Sequence, residues 1–91
     1  LQTAHCISLG GAAFSSKLWA QVARYPQLRA LLLPRCELVK LATDLELPLL
    51  QVLDLSTNRL AKESSVIKAV RRLQALRWID VRGNPVSDMA D

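Results

Sequence analysis

One pattern recurs along this chain and limits what it can fold into. An apolar residue at the first position is followed by apolar residues at the fourth and sixth, Asn or Cys at the ninth and an apolar residue at the eleventh. The pattern is complete at Leu50, Leu53, Leu55, Asn58 and Leu60, and again at Leu76, Ile79, Val81, Asn84 and Val86. A third copy runs through Leu28, Leu31, Leu33, Cys36 and Leu38, and a weaker fourth through Ala4, Ile7, Leu9, Ala12 and Phe14. The copies start at positions 4, 28, 50 and 76, so they are offset by 24, 22 and 26 residues. Stacked architectures repeat on this template every 20–29 residues or about that. A single match would mean little in a chain so rich in leucine. Three complete matches in register, two with Asn at the ninth place, are a specific signal.

The residue types follow from the physics of a short strand and a turn. Leu53 and Leu55 are two apart, so an extended segment points both to one buried face. Asn58 stands where the chain turns away from that strand. Its amide both donates and accepts, and can satisfy backbone groups that the turn leaves unpaired. Cys36 fills the same place with a small thiol. Ala12 cannot hydrogen-bond there, which marks the first copy as an edge or capping unit.

Two of the segments between strands read as helices. Leu18, Val22 and Tyr25 recur at helical spacing and stop at Pro26, while Val66, Val70 and Leu73 do the same with Ser64 or Ser65 as the expected N-cap. The middle return, Leu38 to Pro48, has room for a single helical turn, and Pro48 prevents a regular helix from running through it.

Composition narrows the class. With 91 residues the chain makes one small domain, expected to be an excerpt or processed product because it starts at Leu1. Apolar residues make up 51% and aromatic residues 4%, which suits stacked aliphatic layers better than a core built on rings. The longest apolar run, Ala30 to Pro34, is far short of the roughly 20 residues that cross a bilayer. No secretory signal is visible. The net charge of +4 admits an acidic protein, a phosphate backbone or a membrane surface as partner and selects none of them, and no membrane partner is expected. Cys6 and Cys36 are expected to be reduced, largely buried thiols of an intracellular protein rather than a disulfide framework.

The whole chain resembles the intracellular leucine-rich-repeat proteins of the short, phosphatase-regulator or ribonuclease-inhibitor kind. Leu50 to Asp88 carries most of the likeness, and its Arg82-Gly83-Asn84-Pro85-Val86 ending is similar to the closing repeat of nuclear, spliceosomal and axonemal members and of the repeat domain in mRNA-export receptors. The sequence departs from that family in lacking a capping motif beyond the last repeat and a polar shield before the first. The cysteine clusters of extracellular members are absent too. The resemblance implies an α/β solenoid of about four repeats over residues 1–91, with short parallel strands on a concave face and helices or turns on the convex face. It also implies a cytoplasmic or nuclear setting.

In such a fold, residues alternating with the buried strand positions project from the concave face. They form three rows: Cys6, Ala30, Val52 and Trp78; Ser8, Leu32, Asp54 and Asp80; and Gly10, Pro34, Ser56 and Arg82. An apolar strip rimmed by charge has the make-up of an interaction surface. The expected partner-binding residues are Trp78, Asp80, Arg82, Val52, Asp54 and Leu32. Trp78 leads because tryptophan is among the commonest interface anchors. Against this stands packing of Trp78 under the C-terminal tail, and for the aspartates their frequent place in the repeat itself, with Arg82 and Arg59 neutralising them. Trp19 is expected to pack on the convex side.

The expected function is therefore a protein–protein interaction scaffold. RNA binding of the mRNA-export-receptor type is the alternative, carried by Lys62, Lys68, Arg71, Arg72 and Arg77. Glu63, Glu37, Asp44 and Glu46 interrupt that positive field, and no interleaved aromatic platform for single strands is visible. A third reading is a constitutive subunit of a large assembly, since an uncapped stack exposes its end layers. No catalytic, cofactor or metal site and no small-molecule substrate is expected. His5 has no acid or nucleophile at fixed spacing, Ser15 and Ser16 lie outside any nucleophile elbow, and Gly10-Gly11 lacks the rest of a phosphate loop. Two cysteines and one histidine are too few for a four-ligand zinc site.

Overall fold

The computed structural model describes residues 5–11, 16–41 and 45–86, with Ser16 described in its backbone only. Ala4, Ala12 and Phe14 of the weak first copy lie outside the described residues, as do Ser15, Asp44 and Asp88. The protein is α/β: β1 (Cys6–Ser8), α1 (Ser16–Val22), β2 (Ala30–Leu32), β3 (Val52–Asp54), α2 (Glu63–Val70) and β4 (Trp78–Asp80). The four strands form one parallel sheet in the order β1-β2-β3-β4. Parallel neighbours need a long crossover, and here each crossover is the return segment between two copies of the pattern.

The strand register reproduces the sequence offsets. Cys6 pairs with Ala30, Ala30 with Val52 and Val52 with Trp78, shifts of 24, 22 and 26 residues. The pattern's first, fourth and sixth positions go inward in the central copies: Leu28, Leu31 and Leu33, and Leu50, Leu53 and Leu55, are all at most 3% exposed. Leu38, Leu41, Leu47 and Leu60 close the layers from the turn side.

Ile79, expected inside like Leu31 and Leu53, is 37% exposed, and Leu9 is 38% exposed. Both belong to the outer copies. Among the described residues β4 has a strand on one side only, and so has β1, so no further strand flanks their inward residues there.

The ninth positions carry the polar interior. The Asn58 carboxamide oxygen accepts from the backbone N–H of Cys36 (2.9 Å) and Leu38 (3.0 Å), and its nitrogen donates to the carbonyls of Leu33 and Leu55, both 2.9 Å. Asn84 repeats this one strand over: its oxygen accepts from Asn58 and Leu60, both 3.1 Å, and its nitrogen donates to Leu55 (2.7 Å) and Val81 (2.9 Å). The Cys36 thiol donates to the Leu9 carbonyl at 3.0 Å, so a weaker donor continues the ladder toward β1. Among the described residues no buried side-chain nitrogen or oxygen is left without a partner.

The residue before each ninth position is left-handed. Gly11 (φ 81°), Arg35 (54°), Thr57 (55°) and Gly83 (75°) share this conformation, which turns the chain out of every strand in the same way. Glycine adopts it freely, whereas Arg35 and Thr57 hold it at a cost.

The returns differ in detail from the sequence reading. α1 stops at Val22, and the N–H groups of Arg24 and Tyr25 bond three residues back before Pro26. The expected cap for α2 at Ser64 or Ser65 is wrong: Lys62, in extended conformation, is the N-cap and makes no side-chain cap bond. Glu63 opens the helix, where its charge suits the positive end of the dipole. Both serines therefore lie inside the first turn. Between β2 and β3 the described residues form no helix; one hydrogen-bonded turn, Leu50 N–H to the Leu47 carbonyl, spans Pro48. Leu41 and Leu47 are buried, and residues 42–44 lie outside the described residues. Cys36 is buried but Cys6 is exposed, correcting the expectation for that thiol: it lies on the outward row of β1.

Candidate functional site

The two faces of the sheet are unlike. Leu31 and Leu53 meet Trp19 of α1 and Ala69 of α2 around one interior space, so the helices cover the face those leucines occupy. The opposite face carries the alternating residues and, among the described residues, no helix. Along it the first row is Cys6, Ala30, Val52 and Trp78, and the second Ser8, Leu32, Asp54 and Asp80, each set paired strand to strand. Ala30, Leu32 and Val52 are half-buried, and Trp78 is 47% exposed. The C-terminal tail, the alternative packing partner of Trp78, lies outside the described residues. An exposed indole has only two side-chain torsions, so ordering it on binding costs little entropy for the area it covers.

The two aspartates share a row and differ in what remains available. Asp80 is 7% exposed because Arg82 folds over it: Nε donates to Oδ1 at 3.0 Å and Nη2 to Oδ2 at 2.8 Å. The backbone N–H of Arg82 adds a third bond, to Oδ1 at 3.0 Å. These hydrogen bonds, side-chain first, hold the Asp80 carboxyl below its ordinary value, and the same bonds raise Arg82. Asp80 is thus not an open carboxylate; its charge is spent within its own strand end. The side chain of Arg82 stays 86% exposed, so the carboxylate is shielded by a cation lying in solvent rather than sunk in the core.

Asp54 uses Oδ1 to accept from the backbone N–H of Ser56 at 2.9 Å, the same local turn that Asp80 makes with Arg82. No guanidinium hydrogen-bonds to it, although Arg82 is near enough to be stabilised by its charge, and it is half-buried at the middle of the row. Arg59 lies past the turn with its backbone N–H bonded to Leu38. Of the six expected contact residues, the structure brings Leu32, Val52, Asp54, Trp78 and the Asp80–Arg82 pair onto one face. Ala30, half-buried between Cys6 and Val52 in the first row, lies on the same face.

The basic residues Lys62, Lys68, Arg71, Arg72 and Arg77 are all exposed. Arg71 and Arg72 line an open cleft of about 510 Å³ with Leu45, Glu46, Leu47, Pro48 and Gln74, formed by the β2–β3 return and the end of α2. None of the strand-face residues borders it. Glu46 is among the lining residues, and its negative charge weakens the cleft as a phosphate site. Among the described residues no three His, Cys, Asp or Glu side chains come together to hold a metal ion, and no helix is long and apolar enough to cross a membrane. Trp19 is half-buried against the core on the helix side.

Compared with models of known families and with curated proteins, the chain matches none of them.

Proposed function

We propose that this chain is a leucine-rich-repeat solenoid of about four units that acts as a protein-binding scaffold, engaging its partner through the helix-free strand face. The observation that carries the reading is the exposed indole of Trp78 at the end of a half-buried apolar row, with a charged pair beside it. A strand face kept free of helices, apolar at its centre and polar at its rim has the composition of an interface core. The coincidence of strand register with pattern offset supports the solenoid, and the asparagine ladder supplies the internal reason for the repeat. The scaffold has no catalytic role in this reading.

Affinity capture from cell extract tests it, comparing the unaltered chain with Trp78→Ala/Leu32→Lys and with Arg71→Glu/Arg72→Glu. Asp80 is left intact because its removal would also release Arg82. A protein retained by the unaltered chain and by the arginine variant, but lost from the strand-face variant, supports the reading. Equal retention by the strand-face variant overturns it. Ribonuclease-sensitive capture lost only with Arg71 and Arg72 would transfer the function to RNA and to the cleft.

A further inference from the structure

The strand face carries a charge opposite in sign to that of the whole chain, and the charge is concentrated on one residue. The protein bears +4 overall, whereas the face holds Asp54, Asp80 and Arg82, a net of one negative charge. Arg82 spends its guanidinium on both oxygens of Asp80. Asp54 also attracts Arg82 through space but receives no hydrogen bond from it: Oδ1 is committed to Ser56, and among the described residues no donor reaches Oδ2.

Asp54 is the strand partner of Asp80, and Val52 is the partner of Trp78. Trp78 therefore lies one strand over and two residues back from Asp54. Strands are about 4.8 Å apart and alternate residues about 6.6 Å, which separates the two backbones by roughly 8 Å. A single planar cation can lie against an indole face and still direct an N–H to a carboxylate across that gap. The flanking positions, Ala30, Leu32 and Val52, are apolar and half-buried.

We propose that the strand face receives an arginine side chain of the partner, flanked by apolar residues, with the guanidinium between Trp78 and Asp54. The proposal rests on the scaffold reading above and names the chemistry of its partner. A lysine would satisfy the charge but not the stacking, since its ammonium is a compact, strongly hydrated point charge. Arg82 is the internal competitor: while paired with Asp80 it keeps the face from holding two open carboxylates.

The test is an NMR titration of the full chain with acetyl-Leu-Arg-Leu-amide and with the same peptide carrying citrulline, its uncharged isostere. The indole N–H of Trp78 is the reporter, and that of Trp19, on the helix side, is the control. The arginine peptide is expected to shift Trp78 saturably, with citrulline about five-fold weaker. Asp54→Asn, which retains an acceptor for Ser56, should abolish the difference between the peptides. Arg82→Gln should tighten the arginine peptide by opening Asp80. Equal affinity for both peptides would overturn the arginine proposal and leave the apolar docking face standing. No shift of Trp78 with either peptide overturns it as well, and the scaffold reading is then decided by the capture experiment alone.

Discussion

Thr57 and Gly83 stack in adjacent turns so closely that a Cβ on residue 83 would stand 2.9 Å from Thr57 Oγ1 and 3.1 Å from both Thr57 Cα and N. Two of those three contacts are backbone, and Gly83 also holds φ at 75°. A Gly83→Ala chain must strain its own turn and push its neighbour's. The expected loss is about 2 kcal/mol or more, read from urea unfolding. Thr57→Gly should raise the midpoint instead, because a β-branched residue leaves the left-handed region at φ 55°.

Asn58 and Cys36 occupy equivalent places and should not be equally costly to lose. Asn58→Ala strands the N–H groups of Cys36 and Leu38 and removes a donor from Leu33 and Leu55. With each buried unmet group costing about 1–3 kcal/mol, a loss of at least 3 kcal/mol is expected, enough to unfold a small domain. Cys36→Ala removes one thiol bond to Leu9, and a loss of about 1–2 kcal/mol should follow. Thermal unfolding of the two variants ranks them, and a reversed order would contradict the ladder as the main polar support.

The Asp80–Arg82 pair gives stability a defined acid dependence. Hydrogen bonds from Arg82 depress the folded-state value of Asp80 below its ordinary 3.8. The contribution is therefore complete above that ordinary value and is lost as the pH falls through the folded one. Chemical unfolding at pH 6 and at pH 3 should show a smaller acid loss in Asp80→Asn than in the unaltered chain. An identical loss in both would assign the acid sensitivity elsewhere.

Trp78 and Trp19 should separate cleanly by fluorescence. Trp78 is 47% exposed and Trp19 is packed against the core. Trp19→Phe should leave a red-shifted, iodide-quenchable emission, and Trp78→Ala a blue-shifted, protected one. Trp78→Ala should also change stability by less than about 1 kcal/mol, as a substitution outside the core. A larger loss would make Trp78 a structural residue and weaken its standing as an interface anchor.

Most of the sheet was legible because alternation and spacing are both geometric quantities. A residue that repeats every 24, 22 and 26 positions with its inward partners fixed leaves one parallel register, and the strands adopt it. The exposure of Ile79 was not legible, since alternation reports direction and says nothing of whether a further layer covers it. The cap at Lys62 was missed because serine preference is a local signal, overridden where the chain enters from Leu60, buried in the core. The left-handed turns had a signal that went unused: Gly11 and Gly83 share the eighth place, with Arg35 and Thr57 between them hiding the regularity. At the site, Asp and Arg two apart on one face announced a possible pair. Only the side-chain geometry separates a neutralised Asp80 from an available Asp54.

Each strand pairs only with the strands nearest to it in sequence, and nothing in the sheet joins β1 to β4. Assembly therefore never has to close a loop much longer than one return, and the entropy of closure, which grows with the logarithm of loop length, stays similar at every step. The same wiring means that order is lost from the ends. Amide hydrogens at the β2–β3 junction should exchange slowest and those of β1 and β4 fastest, so the interior sets the lifetime of the fold while Trp78 stands on one of its most readily frayed strands.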